Sequence, residues 1–234
     1  MNKEQFIEEL KKINIDVAEE HFEKLDKYYK LLIEWNEKIN LTTITEEKEV
    51  YLKHFYDSLT VSKIIDLNKE KALCDIGTGA GFPGIVLKIF YPNLEVTLVD
   101  SLNKRIIFLN EVIKELSLQK ISAIHARAEE FAKEHRETFD ITIARAVAPI
   151  NILLEYCIPM IKINKYFISM KGDISREINL IEAAPKKIEA KLLKKEEFLL
   201  PNEESKRSLL MFTKSGKTSI KYPRKNAEIK KKPL

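Results

Sequence analysis

Apolar residues recur at helical spacing through the first third of the chain. Phe6, Ile7 and Leu10 mark one face of residues 4–13, and Phe22, Leu25, Tyr28, Tyr29, Leu32 and Ile33 mark one face of residues 18–39. Asp16 stands where a cap for the second helix belongs. Residues 46–65 continue the pattern, with Val50, Leu52, Phe55, Leu59 and Ile64 turned inward. From Lys71 the texture changes. Short apolar runs at 72–76, 95–99, 121–124, 139–144 and 166–170 alternate with helical segments, among them 84–90, 104–116 and 150–161. Strand, helix, strand at this spacing predicts βαβ units and a parallel sheet. Two later runs, 188–200 and 208–213, are close enough to pair antiparallel at one edge. Residues 223–234 are polar and basic with two prolines, which predicts a loosely ordered end. The expected class is α/β: a Rossmann-like, mostly parallel seven-stranded sheet with an antiparallel edge strand. Residues 1–68 form a helical extension packed on it, 69–221 the main domain and 222–234 a basic tail.

Composition narrows this picture. Hydrophobic residues at 44% can build a core, and charged residues at 32% exclude neither solubility nor order. No run approaches eighteen apolar residues, and the first residues lack the apolar core of a signal peptide, so the expected location is the cytoplasm, with no membrane. Cys74 and Cys157 sit in separate apolar runs and read as buried thiols. Four scattered histidines supply no metal-ligand spacing. The net charge of +4 is uneven: −5 over 1–70, +1 over 71–175 and +8 over 176–234. From Lys206 onward there are ten basic residues and one acid, Glu228. Charge alone fits a polyanion partner and a merely solvated tail equally well.

Of six glycines, four fall in one segment, Asp75-Ile76-Gly77-Thr78-Gly79-Ala80-Gly81-Phe82-Pro83-Gly84. A strand runs into a turn that tolerates positive φ and close backbone approach, and a helix begins at Pro83. The glycines alone satisfy a dinucleotide pattern, with Asp100 about twenty residues on to face a ribose. The acid two residues before Gly77 instead favours an S-adenosylmethionine loop, where it can interact with a cationic cofactor. Asp100 suits both.

Further segments stand in a telling order: Trp35-Asn36-Glu37-Lys38-Ile39-Asn40-Leu41-Thr42, His54 through Leu59, Asp75 through Gly84, Asp100 through Arg105, Arg127-Ala128-Glu129, Ala144 through Ala148, Met170-Lys171-Gly172 and Tyr222-Pro223-Arg224. With them the chain resembles the RsmG (GidB) family from about Phe22 to Pro233. The resemblance implies a bacterial rRNA methyltransferase of the class I fold that uses S-adenosylmethionine. Its target would be N7 of one guanine, position 527 in standard 16S numbering, in the 16S rRNA of the 30S subunit or an assembly intermediate. It implies cofactor contacts at Gly77, Phe82, Ala128, Glu129 and Arg145, with Asp100 facing the ribose. Gly79 and Gly81 belong to the same loop and are expected to bind with it.

Other roles stay open on the residues alone. Arg145, at the end of the fourth strand, has the address of a positioning residue, and could hold a phosphate, stack on the base, pair with Glu129 or form a structural ion pair. Lys171 has the same address and ambiguity; with Arg224 and Lys225 it is a candidate for RNA contact. Asn36, Asn40 and Thr42 suit either a lid or a locally hydrogen-bonded helix end. His54 and Asp57 at i, i+3 share a face and read as structural, and the aromatics from Phe22 to Trp35 as core. Two further functions remain, a nicotinamide-dependent oxidoreductase and a non-catalytic ribosome-binding module. The expected assembly is a monomer, holding no metal.

Overall fold

The computed structural model describes residues 1–234. Helices α1 (Lys3–Lys11) and α2 (Glu19–Ile39) precede a continuous helical run. In it, α3 (Glu47–Val50) widens into a π-turn over Tyr51–Tyr56, returns to α4 (Asp57–Leu59) and tightens to a 3₁₀ turn over Thr60–Lys63. The main unit follows as β1 (Ala72–Ile76), α5 (Gly84–Phe90), β2 (Glu95–Asp100), α6 (Asn103–Glu115), β3 (Ile121–His125), α7 (Ala128–Glu134), β4 (Phe139–Arg145), α8 (Ile150–Cys157) and β5 (Ile161–Lys171). It ends with α9 (Ile178–Ala183), β6 (Ala190–Leu199), β7 (Lys206–Lys214) and α10 (Asn226–Lys231).

The seven strands lie in the order β3-β2-β1-β4-β5-β7-β6. The first five are parallel, and β7 runs antiparallel to both β5 and β6. Burial explains the last two places: β7 is buried from Ser208 to Phe212, as an interior strand must be, whereas β6 is exposed from Lys191 to Glu197 and takes the edge. The strand order reverses between β1 and β4, the place where open α/β sheets form a crevice at their carboxyl ends. The glycine segment leaves β1 there, and Arg145 closes β4 beside it.

One hydrophobic cluster joins the N-terminal helices to a face of the sheet: Phe6, Phe22, Tyr28 and Phe55 share it with Ile85, Phe108, Leu98 and Ile141. A second cluster fills the opposite face around α7 and α8 and reaches Ile229 and Leu234 near the end of the chain. Residues 223–234 are therefore not loosely ordered, contrary to the expectation from their polarity. Ile229 is fully buried, and Arg224 clamps Glu155, itself 0% exposed, through Nε at 2.8 Å and Nη2 at 2.6 Å. The Arg224 backbone N–H donates to the same carboxylate at 2.8 Å. A fork that meets both carboxylate oxygens is the geometry in which a buried acid is tolerated. Arg224, expected among the RNA contacts, is thus committed to Glu155 and serves the fold.

Removing the Arg224 side chain strands a buried carboxylate. Arg224→Ala should cost about 3–5 kcal/mol of stability, whereas an Arg224→Met, Glu155→Leu pair should recover most of it. Urea unfolding of the three proteins checks this, and an Arg224→Ala chain as stable as the parent would contradict it.

Candidate functional site

β1 carries Asp75 into the core, 0% exposed, where Oδ2 accepts hydrogen bonds from Thr78 Oγ1 at 2.7 Å and the Gly84 N–H at 2.9 Å. One carboxylate so ties both ends of the glycine turn. Burial pushes its pKa up to about 6, against the pull of the Thr78 and Gly84 hydrogen bonds and of Arg145. Its Oδ1 is buried without a partner. Gly79 adopts φ +61°, and a Cβ there would meet only the Gly77 carbonyl at 4.0 Å, so this part of the loop faces open space. Gly81, at φ +98°, is turned under the loop, where a Cβ would come within 2.6 Å of Ile85 and of the Tyr28 hydroxyl. Tyr28 donates to the Ala80 carbonyl from below and packs against Phe55 and Phe82.

Two recesses flank the loop. The larger, of about 670 Å³, is lined by Gly77, Gly79, Phe82, Asp100 and Arg145, with Leu41, Thr42, His54, Asp57, Lys171 and Arg207 around its mouth. The smaller, of about 280 Å³, is lined by Gly77, Asp100, Ala128, Glu129 and Tyr156. Gly77, Asp100, Ser101 and Val147 are common to both. Of the loop positions expected to bind cofactor, Gly77, Gly79 and Phe82 line a recess, while Gly81 lines neither and serves packing. Asp100 ends β2, with Oδ1 accepting from the Leu102 N–H and Oδ2 from the Gly79 N–H at 3.0 Å and Arg105 Nη1 at 3.1 Å. Glu129 is 5% exposed, and no residue of the chain hydrogen-bonds its carboxylate, which fronts the smaller recess.

At the mouth, Asp57 is 4% exposed and holds two guanidinium groups, Arg145 Nη1 on Oδ2 at 3.1 Å and Arg207 Nε on Oδ1 at 3.0 Å. Arg145 also donates to the Lys53 carbonyl at 3.0 Å and to His54 Nδ1 at 3.2 Å, and it lies over the Phe82 ring at 5.2 Å. Arginine has no acceptor, so Nδ1 must be the bare nitrogen; Nε2 then carries the proton and donates to Thr42 Oγ1 at 2.9 Å. Burial and the adjacent Arg145 charge lower the His54 pKa to about 3, and its neutral ring stacks on Phe82 at 4.4 Å and 14°.

Several expectations change here. Arg145 pairs with Asp57 of the N-terminal helices, not with Glu129, and is at once an ion pair and a wall of the cleft. His54 and Asp57 are part of the site, although their i, i+3 spacing read as merely structural. Asn36 Oδ1 accepts from the backbone N–H groups of Leu41 and Thr42, so the local hydrogen-bond reading of that helix end holds while the segment also borders the cleft. The Lys171 ammonium lies at the cleft but is held by Glu177 at 2.8 Å and the Ala148 carbonyl at 3.0 Å. Lys225 is exposed and lines neither recess. Arg207, which no sequence pattern marked, joins the site from β7. Burial pushes the thiols of Cys74 and Cys157 up, as suits inert core residues.

The lining fits a cationic cofactor with a ribose: an open glycine turn, Asp100 at the strand end and Glu129 without a partner, while Asp75 lines neither recess and acts by pinning the turn. Comparisons with known proteins agree. The family model for rRNA small subunit methyltransferase G, GidB, matches residues 21–210. A protein named ribosomal RNA small subunit methyltransferase G from Macrococcus caseolyticus is 47% identical over 237 residues, covering 100% of this chain and 99% of its own. Its namesake from Desulforamulus reducens is 50% identical over 227 residues, covering 96% and 95%. Among solved structures, M. jannaschii TYW2 in complex with AdoMet superposes with a TM-score of 0.54 at 17% identity, over 63% of this chain and 70% of that one. The YcgJ protein of Bacillus subtilis gives 0.53 at 13%, over 70% and 100%. These two likenesses establish the class I Rossmann-like fold.

Two outcomes follow from the mouth. Arg145→Ala removes one of the two partners of Asp57 and should lower the thermal midpoint by about 3–10 °C; no shift would show the pair to be energetically idle. His54 has a folded pKa of about 3 against an ordinary 6.5, so between these values the unfolded chain binds more protons and stability falls as pH falls. His54→Gln should flatten that slope, measured as urea midpoints from pH 7 to pH 4; an unchanged difference between the two proteins across that range would refute the buried neutral ring.

Proposed function

This chain belongs to the rRNA small subunit methyltransferase G family, and from that premise we propose that it methylates N7 of one guanine, position 527 in standard numbering, in 16S rRNA. It is an S-adenosylmethionine-dependent methyltransferase, which removes the oxidoreductase and the non-catalytic module from the readings of the sequence. The observation that carries the site assignment is the pair of recesses sharing Gly77 and Asp100, acid-lined inside and arginine-rimmed outside. Gly77, Gly79, Phe82, Asp100, Ala128 and Glu129 would hold the cofactor, with Asp100 toward the ribose. No helix is long and apolar enough to cross a membrane. A monomer acting in the cytoplasm on the 30S subunit or its assembly intermediate completes the reading.

When bound, the cofactor supplies a methyl carbon made electrophilic by its sulfonium sulfur. Guanine N7 offers a free lone pair and no proton, so the chain needs no general base; His54 at the mouth has its free nitrogen committed to Arg145. The work left to these residues is alignment. The glycine turn, pinned by Asp75, fixes one reactant, and Arg145 and Arg207, pinned by Asp57, are placed to fix a phosphate or base edge of the other. Holding two reactants in line can supply about 7–11 kcal/mol of barrier reduction. No Asn-Pro-Pro-Tyr or Asp-Pro-Pro-Tyr segment, of the kind amine methyltransferases use, is present.

Two measurements test the reading. Small subunits from a strain lacking the gene, incubated with the chain and labelled S-adenosylmethionine, should gain one N7-methylguanine, mapped by mass spectrometry to position 527. Gly79→Val should stay folded, as shown by its circular dichroism, and lose S-adenosylhomocysteine binding because its side chain enters the open face of the turn. Label on another nucleotide, or undiminished binding by the folded variant, would overturn the respective assignment.

A further inference from the structure

The smaller recess has a wall that the sequence did not offer. Besides Gly77, Asp100, Ala128 and Glu129, it is lined by Asn226 and Lys230 of α10. That helix is fastened to α8 beneath it at several points. Arg224 clamps Glu155, Tyr156 donates to Asn226 Oδ1 at 3.2 Å, and Ile229 is fully buried in the cluster around α8. Across the recess Glu129, 95% buried, holds its carboxylate toward the space without a protein partner. A carboxyl group that borders the recess with no protein partner, facing a docked polar helix, leaves acceptors there for a ligand's donors.

We propose that α10 is part of the cofactor pocket. It closes the end that receives the adenine, with Asn226 and Lys230 as its wall and the Arg224–Glu155 clamp as its fastening. The proposal rests on the assignment of the cofactor to the glycine turn and Asp100, because these residues are shared between the two recesses. From Asp100 and Gly77, which both recesses share, the smaller recess leads between Glu129 and α10 and the larger leads to the arginine rim, so a base enclosed away from the rim would lie against α10. The tail is thus no removable appendage. Cutting after Lys221 takes away a wall of the pocket together with its charges, so the cofactor affinity should fall with it although the glycine turn and all seven strands remain. Linkage demands the reciprocal effect: cofactor must hold α10 in place.

The experiment is calorimetric titration of S-adenosylhomocysteine into the full-length chain and an Asn226→Ala, Lys230→Ala variant, with hydrogen exchange on the parent chain with and without the ligand. Losing these wall contacts should weaken binding about tenfold in a variant that unfolds at an unchanged urea concentration. Amides of residues 226–232 should exchange more slowly when ligand is bound. Equal affinity in the folded variant, or exchange of α10 indifferent to ligand, would overturn the proposal. Should the variant fail to fold, the exchange measurement on the parent decides alone. A parent chain that takes up no S-adenosylhomocysteine overturns the cofactor assignment beneath it, and the proposal with it. A parent that binds while Gly79→Val does not, with α10 indifferent, leaves the assignment standing and sinks only the role of α10.

Discussion

Asp57 is the point on which the two halves of the molecule are fastened. Its carboxylate, 4% exposed, comes from the N-terminal helical run; one partner guanidinium closes β4 and the other comes from β7. Both oxygens are used, which is the condition for a buried carboxylate to favour one arrangement over many. The pair also sets what surrounds it. Arg145, held on Asp57, turns its second nitrogen to His54 and its plane to Phe82, and so keeps the histidine neutral and flat on the ring. Phe82 in turn rests on Tyr28, which supports the glycine turn at Ala80. The helical extension is thereby joined to the floor and the mouth of the cleft through one chain of packed and charged groups.

The parts legible in the sequence are those governed by local rules. The five parallel strands follow from short apolar runs between amphipathic segments, and the turn after β1 follows from four glycines behind an acid. The helix over 46–65 was legible as apolar spacing, but its π-turn was not. That widened turn carries Lys53 and His54, whose carbonyl and ring both receive Arg145. The partners of Asp57 lie 88 and 150 residues away, so no spacing rule reaches them. His54 and Asp57 could be placed on one face of a helix, and nothing local says what that face meets.

The tail shows how charge arithmetic misleads. Ten bases and one acid after Lys206 invite a polyanion, yet part of that excess is answered within the fold. Arg224 answers Glu155 on α8, Arg207 answers Asp57, and Lys214, 0% exposed, answers Glu137 and the carbonyl of Ile161. Each of these acids lies at least 69 residues from its base. A segment's net charge counts what it carries and not what it meets. What remains free on the tail, Lys225, Lys230, Lys231 and Lys232, is exposed.

Charge is sorted across the site in a way that suits two reactants of opposite sign. Inside lie Asp100 and Glu129, which line the smaller recess, and Asp75 beneath the turn, on the side where the proposed cationic cofactor would sit. At the mouth lie Lys53, Arg105, Arg145 and Arg207, where a phosphate backbone would arrive. The separation is not simple repulsion of like groups, because Asp100 engages Arg105 and Asp57 engages both remaining guanidiniums. Those pairings keep the arginines in fixed directions. A reaction that needs alignment and no proton transfer depends on fixed directions above all. The same carboxylate that joins the helical extension to the sheet thus also aims the basic rim, so that under the proposed function one interaction would serve both the fold and the placement of substrate.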